Sequence, residues 1–216
     1  GDILVGATLP LTKGLTSIAG KNGVGKSTLI SSLYNSLIND NSNRCKINNL
    51  LEPDNYHVKV SVVRNSRPVI IDSSALNEGE VTPYLFDPCS YVPTYLSFIR
   101  GIDNLDEQLE QVGFRKYSDE QLLNINYLTN TAYTSVKVWN IEQEYEDHPV
   151  MPVFEVEKNG ITYQSATMGI GEVSLIYFFW LIERIASVSE NSLLLIEEPE
   201  SYLPPKTQKR LMNCLA

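Results

Sequence analysis

Gly20-Lys21-Asn22-Gly23-Val24-Gly25-Lys26-Ser27 governs how the rest of this chain is read. The run has the spacing G-x-x-x-x-G-K-S. Glycines let a backbone curl so that successive N–H groups point at one anion, and a helix that follows adds the positive end of its dipole. A lysine directly after the last glycine reaches the outer phosphates of a nucleotide, and the next hydroxyl takes a place on Mg²⁺. The candidate nucleotide-binding residues are therefore Gly20, Asn22, Gly23, Val24, Gly25, Lys26, Ser27 and Thr28, with Ser27 also a metal ligand. The motif carries this meaning only between a strand and a helix. Leu15–Ala19 reads as a short strand and Ser27–Ile38 as a helix, so both flanks fit.

A second run with chemistry lies far downstream. Ser192–Ile196 is continuously apolar, the pattern of a buried parallel strand, and it ends in Glu197-Glu198-Pro199-Glu200. A strand end fixes one carboxylate near a metal, while the next can polarise an attacking water. Glu197 is assigned to Mg²⁺, directly or through water, and Glu198 is assigned as the catalytic base. Many strands end in acidic turns, so the pattern gains its weight from the phosphate loop upstream. Between the two, Met168-Gly169-Ile170-Gly171-Glu172 precedes a strongly apolar segment read as a buried helix over Glu172–Ala186. Glycines there let backbone amides approach an anion, although ordinary helix starts also carry glycine.

The remaining pattern is mixed. Ile3–Thr8, His57–Val63, Val69–Ile71 and Tyr84–Phe86 read as strands, with Asn39–Asn43 and Asn65-Ser66-Arg67-Pro68 as turns. Arg100–Asn130 has helical spacing, and Ser118-Asp119-Glu120-Gln121 has the form of a capping box. Thr134–Trp139, Pro152–Glu157 and Ile161–Gln164 read as strands, the last two joined by the hairpin signal Asn159-Gly160. Pro205–Leu215 reads as a final helix with proline at its start. The expected class is α/β: a P-loop NTPase with a mostly parallel core sheet, an antiparallel β-subdomain and a helical and β insertion over residues 100–150.

The chain has 216 residues and a net charge of −9. An acidic balance argues against a broad nucleic-acid surface, which needs clustered Lys and Arg. Cys45, Cys89 and Cys214 form no C-x-x-C pair and read as free thiols in a reducing compartment, hence a cytoplasmic location. His57 and His148 lack ligand-like spacing for zinc. The most apolar run, Leu175–Ile185, contains Glu183 and Arg184 and is too short to cross a bilayer, so no membrane partner is expected.

The ordered set of motifs resembles the ABC-type ATPase heads, within them the SMC, RecF and OLD-like branch. Glu197-Glu198-Pro199-Glu200 followed by Ser201-Tyr202-Leu203-Pro204-Pro205 and Gln208 looks most like the OLD-type and Septu-like ATPases of anti-phage systems. The resemblance is specific over residues 14–38 and 160–212, and weak over 40–160. It implies ATP and Mg²⁺ as cofactors and a sandwich of two heads, a homodimer or higher oligomer. It also implies an effector such as a nuclease, in cis or in trans. By position, Gly169, Gly171 and Glu172 would be the signature acting in trans on the partner head's nucleotide. Gly169 stands where a signature serine is usual, and Glu197 where an aspartate is usual. Asp87, in Asp87-Pro88-Cys89-Ser90, is the stand-in for the glutamine loop. Residues 1–216 are expected to form an ABC-type ATPase domain that is incomplete, with the switch histidine beyond Ala216. Two other readings remain open. One is a nucleotide-gated scaffold with little hydrolysis. The other is a DNA-repair head that clamps DNA, for which Arg100, Arg115 and Lys116 make only a thin basic groove.

Overall fold

The computed structural model of the chain describes residues 15–38, 59–64, 67–72, 81–141, 150–188 and 192–215. The elements expected over Ile3–Thr8 and Asn39–Asn43, together with Cys45, His57 and His148, lie outside the described residues. The fold is mixed α/β. Its described elements run α1 (Lys26–Leu37), β1 (Lys59–Arg64), β2 (Arg67–Asp72), β3 (Thr82–Phe86), α2 (Pro88–Gly101), α3 (Leu105–Gln111) and β4 (Phe114–Lys116). They continue with α4 (Asp119–Thr129), β5 (Ser135–Ile141), β6 (Met151–Lys158), β7 (Ile161–Gln164), α5 (Ile170–Val188), β8 (Ser192–Ile196) and α6 (Pro205–Leu215). Contacts divide them into two compact units. The first holds α1, β1, β2, β3 and β8, and the second holds the remaining elements.

In the first unit β3 pairs parallel with β8, from Thr82 opposite Ser192 to Phe86 opposite Ile196. Helix α1 covers this pair. Leu33 and Leu37 meet Leu195, and Ile30, Tyr34, Val81, Leu85 and Leu193 close around them. The helix also buries hydroxyls, which satisfy themselves one turn back. Ser31 Oγ donates to Ser27 O at 2.7 Å and Ser32 Oγ to Thr28 O at 2.7 Å. Strands β1 and β2 form a separate antiparallel hairpin, in which Arg67 and Pro68 are strand residues, paired with Arg64 and Val63, instead of part of the expected turn.

The second unit is built on the antiparallel order β4-β5-β6-β7. Asn159 (φ 53) and Gly160 (φ 74) make the β6–β7 turn, both in the left-handed region that a two-residue hairpin requires. Helix α5 is tied to this sheet by Tyr117 against Phe179, ring centroids 5.5 Å apart, and by Arg115 Nη2 to Glu183 Oε2 at 2.9 Å. Helix α4 starts with the expected capping box. Ser118 Oγ accepts from Gln121 N at 3.3 Å, and Gln121 Oε1 accepts from Ser118 N at 2.9 Å. Among the described residues, no helix is long and apolar enough to cross a membrane.

Three differences from the sequence reading matter. Leu15–Ala19 carries no strand among the described residues, and Leu15 is 48% exposed. A strand is made by its partner's hydrogen bonds, which local composition does not reveal. Parallel pairing among the described strands is confined to β3 and β8, so the largest described sheet is antiparallel rather than parallel. Helical structure begins at Pro88, well before Arg100. Pro93 inside α2 disguises that helix, but Asp87 caps it and Pro88 occupies the first position, where proline is tolerated.

Candidate functional site

The glycine run folds as a tight turn feeding α1. Gly23 (φ 80) and Gly25 (φ 93) both take left-handed backbone angles. A side chain there would add roughly 1–2 kcal/mol of strain per residue. Gly25 is the N-cap of α1 and offers no side-chain cap, and the first turn of that helix has no acidic residue. The initial amides of α1 are thus without the intrahelical partners that later amides have. Lys26 Nζ folds back over the loop, donating to Gly20 O at 3.0 Å and to Lys21 O at 3.1 Å. Gly23 has open space around its Cα, so a Cβ would meet nothing within 4 Å. The positive end of the α1 dipole and the Lys26 ammonium thus lie on the same short loop.

Glu197 sits at the carboxyl end of β8, in the same unit as this loop. Its backbone N–H donates to Phe86 O at 2.9 Å, extending the β3–β8 pairing by one step. The Glu197 backbone is therefore held just past the strand end, and the residue is half-buried. Ser27 and Glu197 supply hard oxygen donors, the chemistry that suits Mg²⁺. The next residue changes character. Glu198 is exposed, has φ 43 and belongs to the second unit. It opens a turn in which Ser201 N donates back to Glu198 O at 2.9 Å.

Gly169, Gly171 and Glu172 also lie in the second unit, at the start of α5. Their surroundings differ sharply. Gly169 is exposed, and a Cβ there would meet nothing within 4 Å. A Cβ on Gly171 would come 2.5 Å from the Tyr202 carbonyl oxygen. Glu172 Oε1 accepts from Tyr133 Oη at 2.5 Å and from Tyr163 Oη at 2.7 Å. Burial first, then hydrogen bonding to the carboxylate, pushes the Tyr163 phenol up to about 12. The same causes move Tyr133 higher still. Gly171 and Glu172, with Tyr163, Lys158, Tyr202 and Lys206, line a cavity of about 430 Å³ that no local sequence pattern signals.

Asp87 is fully engaged in capping α2. Its Oδ1 accepts from Cys89 N at 3.0 Å and Ser90 N at 3.3 Å, and its Oδ2 accepts from Ser90 Oγ at 2.5 Å. Cys89 lies beside Glu198, a contact that sequence alone did not bring forward. Comparison with protein-family models, with characterised proteins and with solved structures finds no match for this chain.

Proposed function

We propose that this chain is an ATP-binding and ATP-hydrolysing switch on a P-loop NTPase scaffold. The observation that carries the reading is the Gly20–Ser27 turn. Its left-handed glycines, its folded-back lysine and an uncapped helix start share one unit with an acidic strand end. In this reading the loop amides and Lys26 hold the phosphates of ATP. Asn22, Val24 and Thr28 complete the cradle, and Ser27 with Glu197 holds Mg²⁺. The metal neutralises charge on the transferred phosphoryl group. Glu198 orients and deprotonates the attacking water. The chain's contribution to rate is then positioning and charge placement, since phosphoryl transfer needs little covalent help from the protein.

The ABC-type resemblance supports head-to-head dimerisation, with the Gly169–Glu172 segment of one head reaching the nucleotide of the other. Of those residues Gly169 is the one left open, since Gly171 and Glu172 are occupied within their own unit. Closure and opening of the dimer would drive an effector such as a nuclease, in cis or in trans, in cytoplasmic anti-phage defence. Steady-state hydrolysis by the protein in its assembled form tests the reading. Glu198→Gln should lower turnover by about 10²–10⁴-fold while nucleotide still binds. Turnover equal to wild type in that variant would remove Glu198 as the base.

A second reading, a nucleotide-gated scaffold with little hydrolysis, draws support from Asp87. Both of its carboxylate oxygens are taken up by the α2 cap, so it is poorly placed to serve the chemistry as a loop glutamine would. Full nucleotide occupancy with negligible turnover in the assembly would favour this second reading.

A further inference from the structure

Glu198 is an exposed glutamate at the head of a hydrogen-bonded turn, which is an unpromising place for a base. An unrestrained glutamate has three side-chain torsions and spreads its carboxylate over many positions. Water activation needs the carboxylate held to within about 0.5 Å of one place. The local backbone narrows the range only in part: Glu198 (φ 43) and Tyr202 (φ 63) both take left-handed angles within five residues.

A neighbour from the start of α2 lies within reach of this carboxylate. Cys89 Sγ donates to Glu198 Oε2 at 3.8 Å, across 109 residues of chain. The backbone that carries the thiol is held in place. The Cys89 N–H is held by Asp87 Oδ1 at 3.0 Å, in the first turn of a helix whose inner face, Val92, Tyr95, Leu96 and Ile99, is buried. Tyr202, itself 50% exposed, lies near the same thiol. Desolvation first, and then Cys89 beside it, raise the Tyr202 phenol.

We infer that Cys89 is a positioning residue for the Glu198 carboxylate, so that the state of this thiol sets the rate of hydrolysis without setting nucleotide affinity. The inference rests on the reading of Glu198 as the base. A thiol is a weak donor, so its loss should slow the reaction modestly. A bulky adduct should slow it more, because it occupies the space between sulfur and carboxylate. N-ethylmaleimide is such a probe. It forms an Sγ–C bond across its C=C bond, the thiol proton ends on the neighbouring carbon, and nothing leaves.

The test uses the full protein in its assembled form, with Cys45, Cys214 and any cysteine outside residues 1–216 replaced by serine so that Cys89 is the sole thiol. Cys89→Ala should lower kcat by about three- to tenfold with an unchanged nucleotide Kd, and Cys89→Ser, which keeps a donor, should restore kcat to within about twofold. N-ethylmaleimide should lower kcat by about tenfold or more in the Cys89 protein and have no effect on the serine variant. The adduct is made on an already folded chain, so it remains informative even where the alanine variant is unstable. Equal kcat in the Cys89, alanine and alkylated forms, alongside an inactive Glu198→Gln, overturns the positioning role alone. Full turnover in Glu198→Gln, or no turnover in the parent, overturns the base assignment and with it this inference.

Discussion

Two helices in this chain begin with glycine-rich segments, and their glycines serve opposite ends. Ahead of α1, Gly23 and Gly25 take left-handed angles, and the space around Gly23 is empty. Ahead of and within the start of α5, Gly171 is pressed against the Tyr202 carbonyl, and the adjacent Glu172 is held by two phenols. In the first segment the described hydrogen bonds fall on the carbonyls of Gly20, Lys21 and Gly25. The second, apart from Gly169, uses its small residue to let two parts of one unit meet. A glycine beside a helix start therefore signals an anion site only when the amides around it are left without internal work.

Substitutions can break this contrast. The largest effect is expected at Lys26, whose ammonium touches only loop carbonyls in the described contacts. Lys26→Ala should weaken MgATP binding by about 10–100-fold, in line with loss of charge-assisted hydrogen bonds, while leaving the melting temperature nearly unchanged. Gly171→Ala should do the reverse. Its Cβ would stand 2.5 Å from a backbone oxygen, and the forced shift should destabilise the second unit by about 2 kcal/mol in denaturant unfolding. Gly169→Ala, with open space, is the control and should stay within about 0.5 kcal/mol of wild type.

Smaller effects sharpen the picture of Glu172. Tyr133→Phe removes a 2.5 Å bond to that carboxylate and should lower stability by about 1.5 kcal/mol. The pH dependence has a definite sign. The Tyr163 phenol is raised from 10 to about 12 in the fold, so its contribution is complete below pH 10 and is lost as pH rises towards 12. Unfolding measured across that interval should show stability falling with pH, and Tyr163→Phe should flatten the fall.

Much of the local structure was legible because it depends on neighbours in sequence. The start of α1 follows from Gly25-Lys26, the α4 capping box from Ser118 and Gln121, and the β6–β7 turn from Asn159-Gly160. Strand β8 was legible from an unbroken apolar run. What failed depends on distant partners. Leu15–Ala19 resembled a strand but has no pairing among the described residues, while the three-residue β4 exists because β5 pairs with it. In the candidate site, the loop and the two carboxylates could be named from spacing. The Cys89–Glu198 contact and the tyrosines around Glu172 join residues too far apart in sequence for any local pattern to reveal.

An ATP-driven switch requires that the Gly20–Ser27 turn hold a nucleotide. Titration calorimetry of the purified protein with MgATP, run side by side on wild type and Lys26→Ala, tests it most directly. Saturable binding to wild type, with affinity lower by at least about tenfold in the variant, is the predicted result. No binding to wild type, or equal binding to both, would contradict it.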